Sequence, residues 1–330
     1  MIKTTAGGSS SERPRNEPSM NLDPVEIARL LPFEDRYERR RQRWYDGPHG
    51  SWEAFDRVLE REVVLNVAWA YSDVPAFLRS AKVAASLRHP SFLPVYDLGI
   101  YGGTTPFYTT PPVQAAPLGS LLRRLDGGGP GSWGSFPLLP LVGAVRDACR
   151  ALEYAHRRGL LHLDLHPDSL LVGDDYHVIL DVVGWAEVRA GDDAEEDDVA
   201  LVGHLSYMSP EQVNVPSRGV GPATDVFGLG GILYIILFGT PPNHLPEGSD
   251  VNEVIRAIVE RSFDSRRPGT LRPGIRSSEG SGGIDGLAGI CLKALAYDLK
   301  GRYPTAASLG DALDAWLARC RAPRWAAWRR

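Results

Sequence analysis

Residues 160 to 184 read L-L-H-L-D-L-H-P-D-S-L-L-V-G-D-D-Y-H-V-I-L-D-V-V-G. His162 to Ser169 is a polar loop, and Leu170 to Val172 is apolar. Gly173 to Tyr176 is a turn sequence, and His177 to Val183 is a second, mainly apolar run. Two short apolar runs joined by a Gly/Asp turn predict a β-hairpin. A loop that carries His162, Asp164, His166 and Asp168 into a buried hairpin is a place where chemistry concentrates.

Composition sets the outer bounds. The chain has 330 residues, 43% hydrophobic and 23% charged, which is ordinary globular composition with length for one two-lobed domain or two smaller ones. A net charge of −5 argues against a general nucleic-acid binder, so no nucleic-acid partner is expected. Cys149, Cys291 and Cys320 have no paired or metal-type spacing and read as reduced thiols of a cytoplasmic protein. The first residues lack the apolar stretch of a signal peptide. The longest apolar run, Phe227 to Phe238, falls short of the roughly 20 residues of a membrane span and suits a buried helix.

The stretch at 160–184 resembles the catalytic and metal-binding loops of the eukaryotic-like protein kinases, H-R-D-L-K-P-x-N through D-F-G. His162, Asp164, Leu165, Pro167 and Leu170 to Val172 carry the match. The departures are Leu163 for the loop Arg, His166 for the loop Lys and Ser169 for the loop Asn. With a hairpin of the usual length, D-F-G falls on Val182, Val183 and Gly184, and Asp181 stands one position early. The resemblance implies an α+β, protein-kinase-like two-lobed fold. Its first lobe is a small antiparallel β-sheet with one helix, and its second is larger and mainly helical.

Further motifs fall in family order on both sides. Residues 36–70 read as a β-meander whose phosphate-covering turn keeps only Gly47 and Gly50, in Asp46-Gly47-Pro48-His49-Gly50. Glu62 to Ala68 resembles the third strand, V-A-I-K, with Asn66 in place of the Lys. Pro75 to Arg88 is predicted helical and resembles the regulatory helix, with Ser80 in place of the Glu that pairs with that Lys. His89-Pro90 ends it. Leu93 to Gly99 and Pro106 to Val113 read as strands; the resemblance implies that Thr110 guards the back pocket and that Pro111-Pro112-Val113 is the hinge. The Pro111 carbonyl and the Val113 N–H would remain open to adenine, because Pro112 lacks only an N–H that the contact does not use. The resemblance also assigns Val64 and Leu171 to the nucleotide contacts.

Beyond the hinge, Gly119 to Arg124 resembles the short helix that starts the second lobe, and Leu138 to Arg158 is an amphipathic helix stopped by Gly159. Gly203 to Glu211, G-H-L-S-Y-M-S-P-E, resembles G-T-P-x-Y-M-A-P-E. Thr224 to Pro242 resembles the central buried helix, whose Asp225 would hold the catalytic-loop backbone. Cys291 to Tyr303 resembles the last helical region, with Arg302 as partner of Glu211. His162, Glu211, Asp225 and Arg302 are therefore structural residues under this reading.

The expected organisation is a disordered 1–35 with a short docking helix at Val25 to Leu31, a first lobe at 36–113, a second lobe at 114–318 and a basic, aromatic tail at 319–330. Arg and Trp interleaved in that tail are compatible with contact to an anionic membrane surface. The acidic run Asp192 to Asp198 reads as a solvated loop.

Phosphoryl transfer needs a Lys–Glu pair, a catalytic Asp, a loop Lys and Asn, and a metal-binding Asp. Of these positions only Asp164 keeps its family residue; Asn66, Ser80, His166, Ser169 and Val182 fill the others. The expectation is a pseudokinase of a bacterial signalling pathway that regulates or scaffolds a protein partner, with Asp164 a vestigial base. ATP and Mg²⁺ are then weak ligands, and neither is required. Ser169 and Asp181 are the remaining candidates for metal contact. The alternative is an active serine/threonine kinase that uses Asp164 and Asp181. A minor alternative is a metal-dependent enzyme, since His162, Asp164 and His166 alternate and a strand would set them on one face.

Overall fold

The computed structural model describes residues 33–43, 49–68, 74–101, 104–126, 138–180, 186–187, 204–214, 219–243, 251–259, 271–272, 275 and 284–321. Gly47, the Val25 to Leu31 helix, Asp181 to Gly184, the acidic run at 192–198 and the tail beyond Arg321 lie outside them.

Alternation builds the first lobe. Strands β1 (Tyr37–Gln42), β2 (His49–Asp56), β3 (Arg61–Ala68), β4 (Asp97–Tyr101) and β5 (Thr105–Thr110) form one antiparallel sheet in the order β1-β2-β3-β5-β4. Val63, Leu65 and Val67 of β3 point to one face and pack with Tyr37, Ala54 and Phe107. The opposite face carries Val64, Asn66 and Ala68. Here Ala68 and Tyr108 pack on Phe77, Ala81 and Ala84 of helix α1 (Val74–Ser86). The β2–β3 turn is closed by Asp56, whose carboxylate accepts from the N–H of Val58 (3.1 Å) and Leu59 (3.2 Å) and from the Arg36 guanidinium. Residues 93–96, expected in a strand, precede β4, although the Tyr96 N–H already reaches the Thr109 carbonyl at 2.7 Å.

The second lobe is one hydrophobic core. It is assembled from α2 (Leu118–Asp126), α3 (Leu138–His156), α5 (Pro222–Phe238), α7 (Ile284–Ala294) and α8 (Ala306–Arg321), with the short α4 (Pro210–Asn214) and α6 (Val251–Val259) beside them. Helix α3 buries Leu141, Val142, Val145, Cys149, Leu152 and Ala155 at helical spacing. It ends at His156, two residues earlier than expected, and Gly159 follows at φ 74°, a conformation suited to glycine. Helix α5 is buried nearly all round, as its run of apolar residues and glycines requires. Among the described residues no helix is long and apolar enough to cross a membrane. Arg319 to Arg321, assigned to a tail from the sequence, are the last turn of α8.

The central stretch joins these parts. β7 (Leu160–Leu161) pairs with β10 (Ala186–Glu187), while β8 (Leu170–Gly173) pairs with β9 (Val178–Leu180) and with β6 (Ala115–Pro117). The loop 162–169 lies between β7 and β8 and is thereby held at both ends.

Candidate functional site

The loop takes its shape from α5. The Asp225 carboxylate is fully buried and accepts from the backbone N–H of His162 (2.9 Å) and of Leu163 (2.8 Å). It also meets the His156 ring at 2.7 Å. Burial works to raise the Asp225 carboxyl, but its hydrogen bond to His156 and the neighbouring His162 hold it below the usual carboxylate range. Leu163 sits at φ 60°, a left-handed conformation uncommon outside glycine, and the carboxylate clamp maintains it. From the other side the Gln212 side-chain amide donates to the Leu163 carbonyl at 2.7 Å. Gly228 of α5 permits the close approach, since a Cβ there would lie 2.7 Å from the Leu165 Cβ. The loop then closes on itself: the Ser169 hydroxyl donates to the His166 carbonyl (2.7 Å) and accepts from the His166 N–H (3.1 Å).

Asp164 projects from this loop. One carboxylate oxygen accepts from the His204 backbone N–H (3.0 Å) and meets His204 Nδ1 at 3.2 Å. The other lies 4.0 Å from His166 Nε2. The His166 and His204 rings stack with centroids 3.6 Å apart. Burial alone would raise the Asp164 carboxyl, but its hydrogen bond to His204 and the charges of His166 and His204 outweigh burial and bring it down to about 2. Burial, then the charge of His204, lowers His166 to about 4, so its ring is neutral at pH 7. The hydrogen bond to Asp164 raises His204.

Residues 137–294 match the model of the protein kinase domain. The chain is 31% identical over 283 residues to the serine/threonine-protein kinase PknB of Mycobacterium leprae, covering 83% of this chain and 42% of that protein. It is 29% identical over 286 residues to PknB of Mycobacterium tuberculosis, with the same coverage of each. It is 32% identical over 211 residues to the DNA damage-responsive serine/threonine-protein kinase RqkA of Deinococcus radiodurans, covering 63% of this chain and 30% of that one. The chain belongs to the eukaryotic-like serine/threonine protein kinase family. It spans less than half the length of the PknB relatives it matches.

Within this kinase-family chain, the structure brings Asp164, His166 and Ser169 together in one loop. Ser169 is buried with its hydroxyl engaged by His166. Gly50 is inside β2, opposite Val67, rather than at a turn apex. Val64 pairs with Thr110, and Asn66 with Tyr108. Asn66 is buried, not on an accessible strand face, because α1 covers that side of the sheet. Ser80 of α1 is buried as well. Pro111 and Val113 are part-exposed residues between β5 and β6, and Leu171 is part-exposed on β8. Glu211 and Arg302, 91 residues apart, form a two-pronged ion pair at 2.6 and 2.8 Å, and Arg302 also donates to the carbonyls of Ala296, Ala223 and Tyr297.

One grouping expected from spacing is corrected. His162, Asp164 and His166 do not lie on a strand and do not share a face. Leu163 at φ 60° breaks the alternation, and His162 is fully buried with Nδ1 accepting from the Asp164 N–H at 3.3 Å. The third member of the cluster is His204, which the sequence reading passed over. Its signal was present in G-H-L-S-Y-M-S-P-E, where the family motif has Thr. His156, the side-chain partner of Asp225, carried no motif signal.

Proposed function

We propose that this chain is a pseudokinase, a kinase-fold regulator or scaffold that acts in the cytoplasm on a signalling protein, either an active kinase or its substrate. The observation that carries this reading is the buried, uncharged Asn66 on β3. At that position the family's Lys clamps the nucleotide phosphates, and Asn supplies a hydrogen bond but no charge. The buried Ser80 on α1 removes the negative partner of that Lys, and the neutral His166 removes a second positive charge. Nucleotide binding is then weak, and the regulatory role needs neither ATP nor Mg²⁺.

A second reading, an active serine/threonine kinase, is favoured by Asp164. Its carboxylate stands on the catalytic-type loop and is ionised at pH 7. Melting of the purified chain and of Asp181→Ala, with ATP in the presence and absence of Mg²⁺, separates the two. A nucleotide present at a hundred times its Kd stabilises by about 2.7 kcal/mol, a shift easily seen. The pseudokinase reading expects no Mg²⁺-dependent shift. A shift that Asp181→Ala abolishes, followed by autophosphorylation, would replace it with the active-kinase reading.

A further inference from the structure

We propose that Asp164, His166 and His204 form a binding site for a transition-metal ion of the zinc type, and that the bound ion clasps the segment beginning at His204 to the loop 162–169. The site goes beyond the pseudokinase reading and stands whether or not the chain transfers phosphate.

The first argument is the donor set. Two imidazole nitrogens and one carboxylate oxygen suit zinc and its neighbours, whereas Mg²⁺ selects oxygen ligands. One ligand atom from each of the three side chains can be chosen so that all lie within 4.8 Å of one another. Tetrahedral bonds of about 2.0–2.2 Å set ligand atoms about 3.3–3.6 Å apart. His204 Nδ1 and Asp164 Oδ1 are already at 3.2 Å, and His166 Nε2 and Asp164 Oδ2 are at 4.0 Å. A shared ion asks the two rings, 30° from parallel, to fan open around it. The His204 side chain is 57% exposed and has room to turn.

The second argument is support. A metal ligand works when it is held in place by neighbouring groups. Asp164 is oriented by the His204 N–H. The loop beneath it is fixed by Asp225 at His162 and Leu163, and by Gln212 at the Leu163 carbonyl. His166 is anchored through its own N–H and carbonyl to Ser169.

The third argument is coincidence of replacement. His166 stands where the family loop has Lys, and His204 stands where the later motif has Thr. The two positions lie in separate segments, His204 being 40 residues from Asp164, yet both replacements are histidine and both reach the same carboxylate. A neutral filling of two unrelated positions has no reason to choose histidine twice. A shared ligand does.

The test is a Zn²⁺ titration of the whole purified chain, stripped of metal with chelator and read by competition with a chromophoric zinc indicator, with melting as a second readout. The expected result is one Zn²⁺ per chain and a higher melting temperature with Zn²⁺ but not with Mg²⁺. His166→Ala and His204→Ala should each weaken binding at least tenfold and remove the thermal shift. His177→Ala, which alters the exposed ring beside Asp175, should leave both unchanged. If His166→Ala fails to fold, the exposed His204→Ala decides alone. The proposal is overturned if no Zn²⁺ binds, if His204→Ala binds it as tightly as the parent chain, or if Mg²⁺ competes for the site on equal terms.

Discussion

Asp225→Asn is the sharpest test of how the loop is held. The carboxylate serves two backbone N–H groups, of His162 and Leu163, and the His156 ring, all within 2.9 Å and out of contact with water. Asn offers one oxygen, and its NH₂ would face a donor, so one buried N–H is left without an acceptor at a cost of about 1–3 kcal/mol. The surviving bonds lose their charge assistance, worth roughly as much again. The left-handed Leu163, itself costing of order 1–3 kcal/mol, loses part of the clamp that maintains it. A total of about 3–5 kcal/mol follows, the range found when one member of a buried ionic contact is removed. At the low end of about 2–4 °C per kcal/mol, appropriate to a chain of this length, melting should fall by roughly 6–10 °C. Melting by circular dichroism supplies the number, and amide exchange at His162 and Leu163 supplies the location. A variant that melts within about 2 °C of the parent, with both amides equally protected, would refute the reasoning.

Three further outcomes are expected. The folded-state value of Asp225 is depressed, so its contribution is fully present above the ordinary Asp value of about 3.9 and is lost as pH falls through the lower folded value. Melting temperatures followed from neutral pH downward should therefore drop more steeply below about pH 4 in the parent than in Asp225→Asn, and parallel curves would count against the assignment. The Glu211–Arg302 pair is buried at its Arg end, so Arg302→Met and Glu211→Gln should each cost about 3–5 kcal/mol in denaturant melts, while the double variant should cost clearly less than their sum. Strict additivity would deny the coupling. Asn66→Lys places an unpaired cation in a buried position, and Ser80→Glu an unpaired anion; each should destabilise alone, and together they should show a favourable coupling of about 0.5–3 kcal/mol and gain a Mg²⁺-ATP melting shift that neither has alone. A double variant that is merely the sum of two lesions would show that side chains at positions 66 and 80 do not meet.

The first lobe was legible because its strands obey a local rule. Val63, Leu65 and Val67 alternate with Val64, Asn66 and Ala68, and nothing outside the segment is needed to see two faces. The burial of Asn66 was not legible from that rule. Which face is covered depends on α1 packing through Phe77, Ala81 and Ala84 onto Ala68 and Tyr108, a contact between elements. Strand and helix ends drifted for a similar reason. Residues 93–96 and the close of α3 are settled by single hydrogen bonds and by the turn at Gly159, not by periodicity.

The cluster at Asp164 shows where spacing misleads. His162, Asp164 and His166 alternate perfectly in the sequence, and alternation means a shared face only if the backbone is extended. One residue, Leu163 at φ 60°, cancels that condition, and it adopts this conformation because Asp225, 62 residues on, binds its N–H. The same clamp that sends His162 fully into the core leaves Asp164 and His166 only part-buried, where a histidine from a distant segment meets them. The residue that completes the group was therefore set by a long-range hydrogen bond rather than by the local pattern. Its only trace in the sequence is that two motif positions, one a Lys and one a Thr in the family, are both histidine.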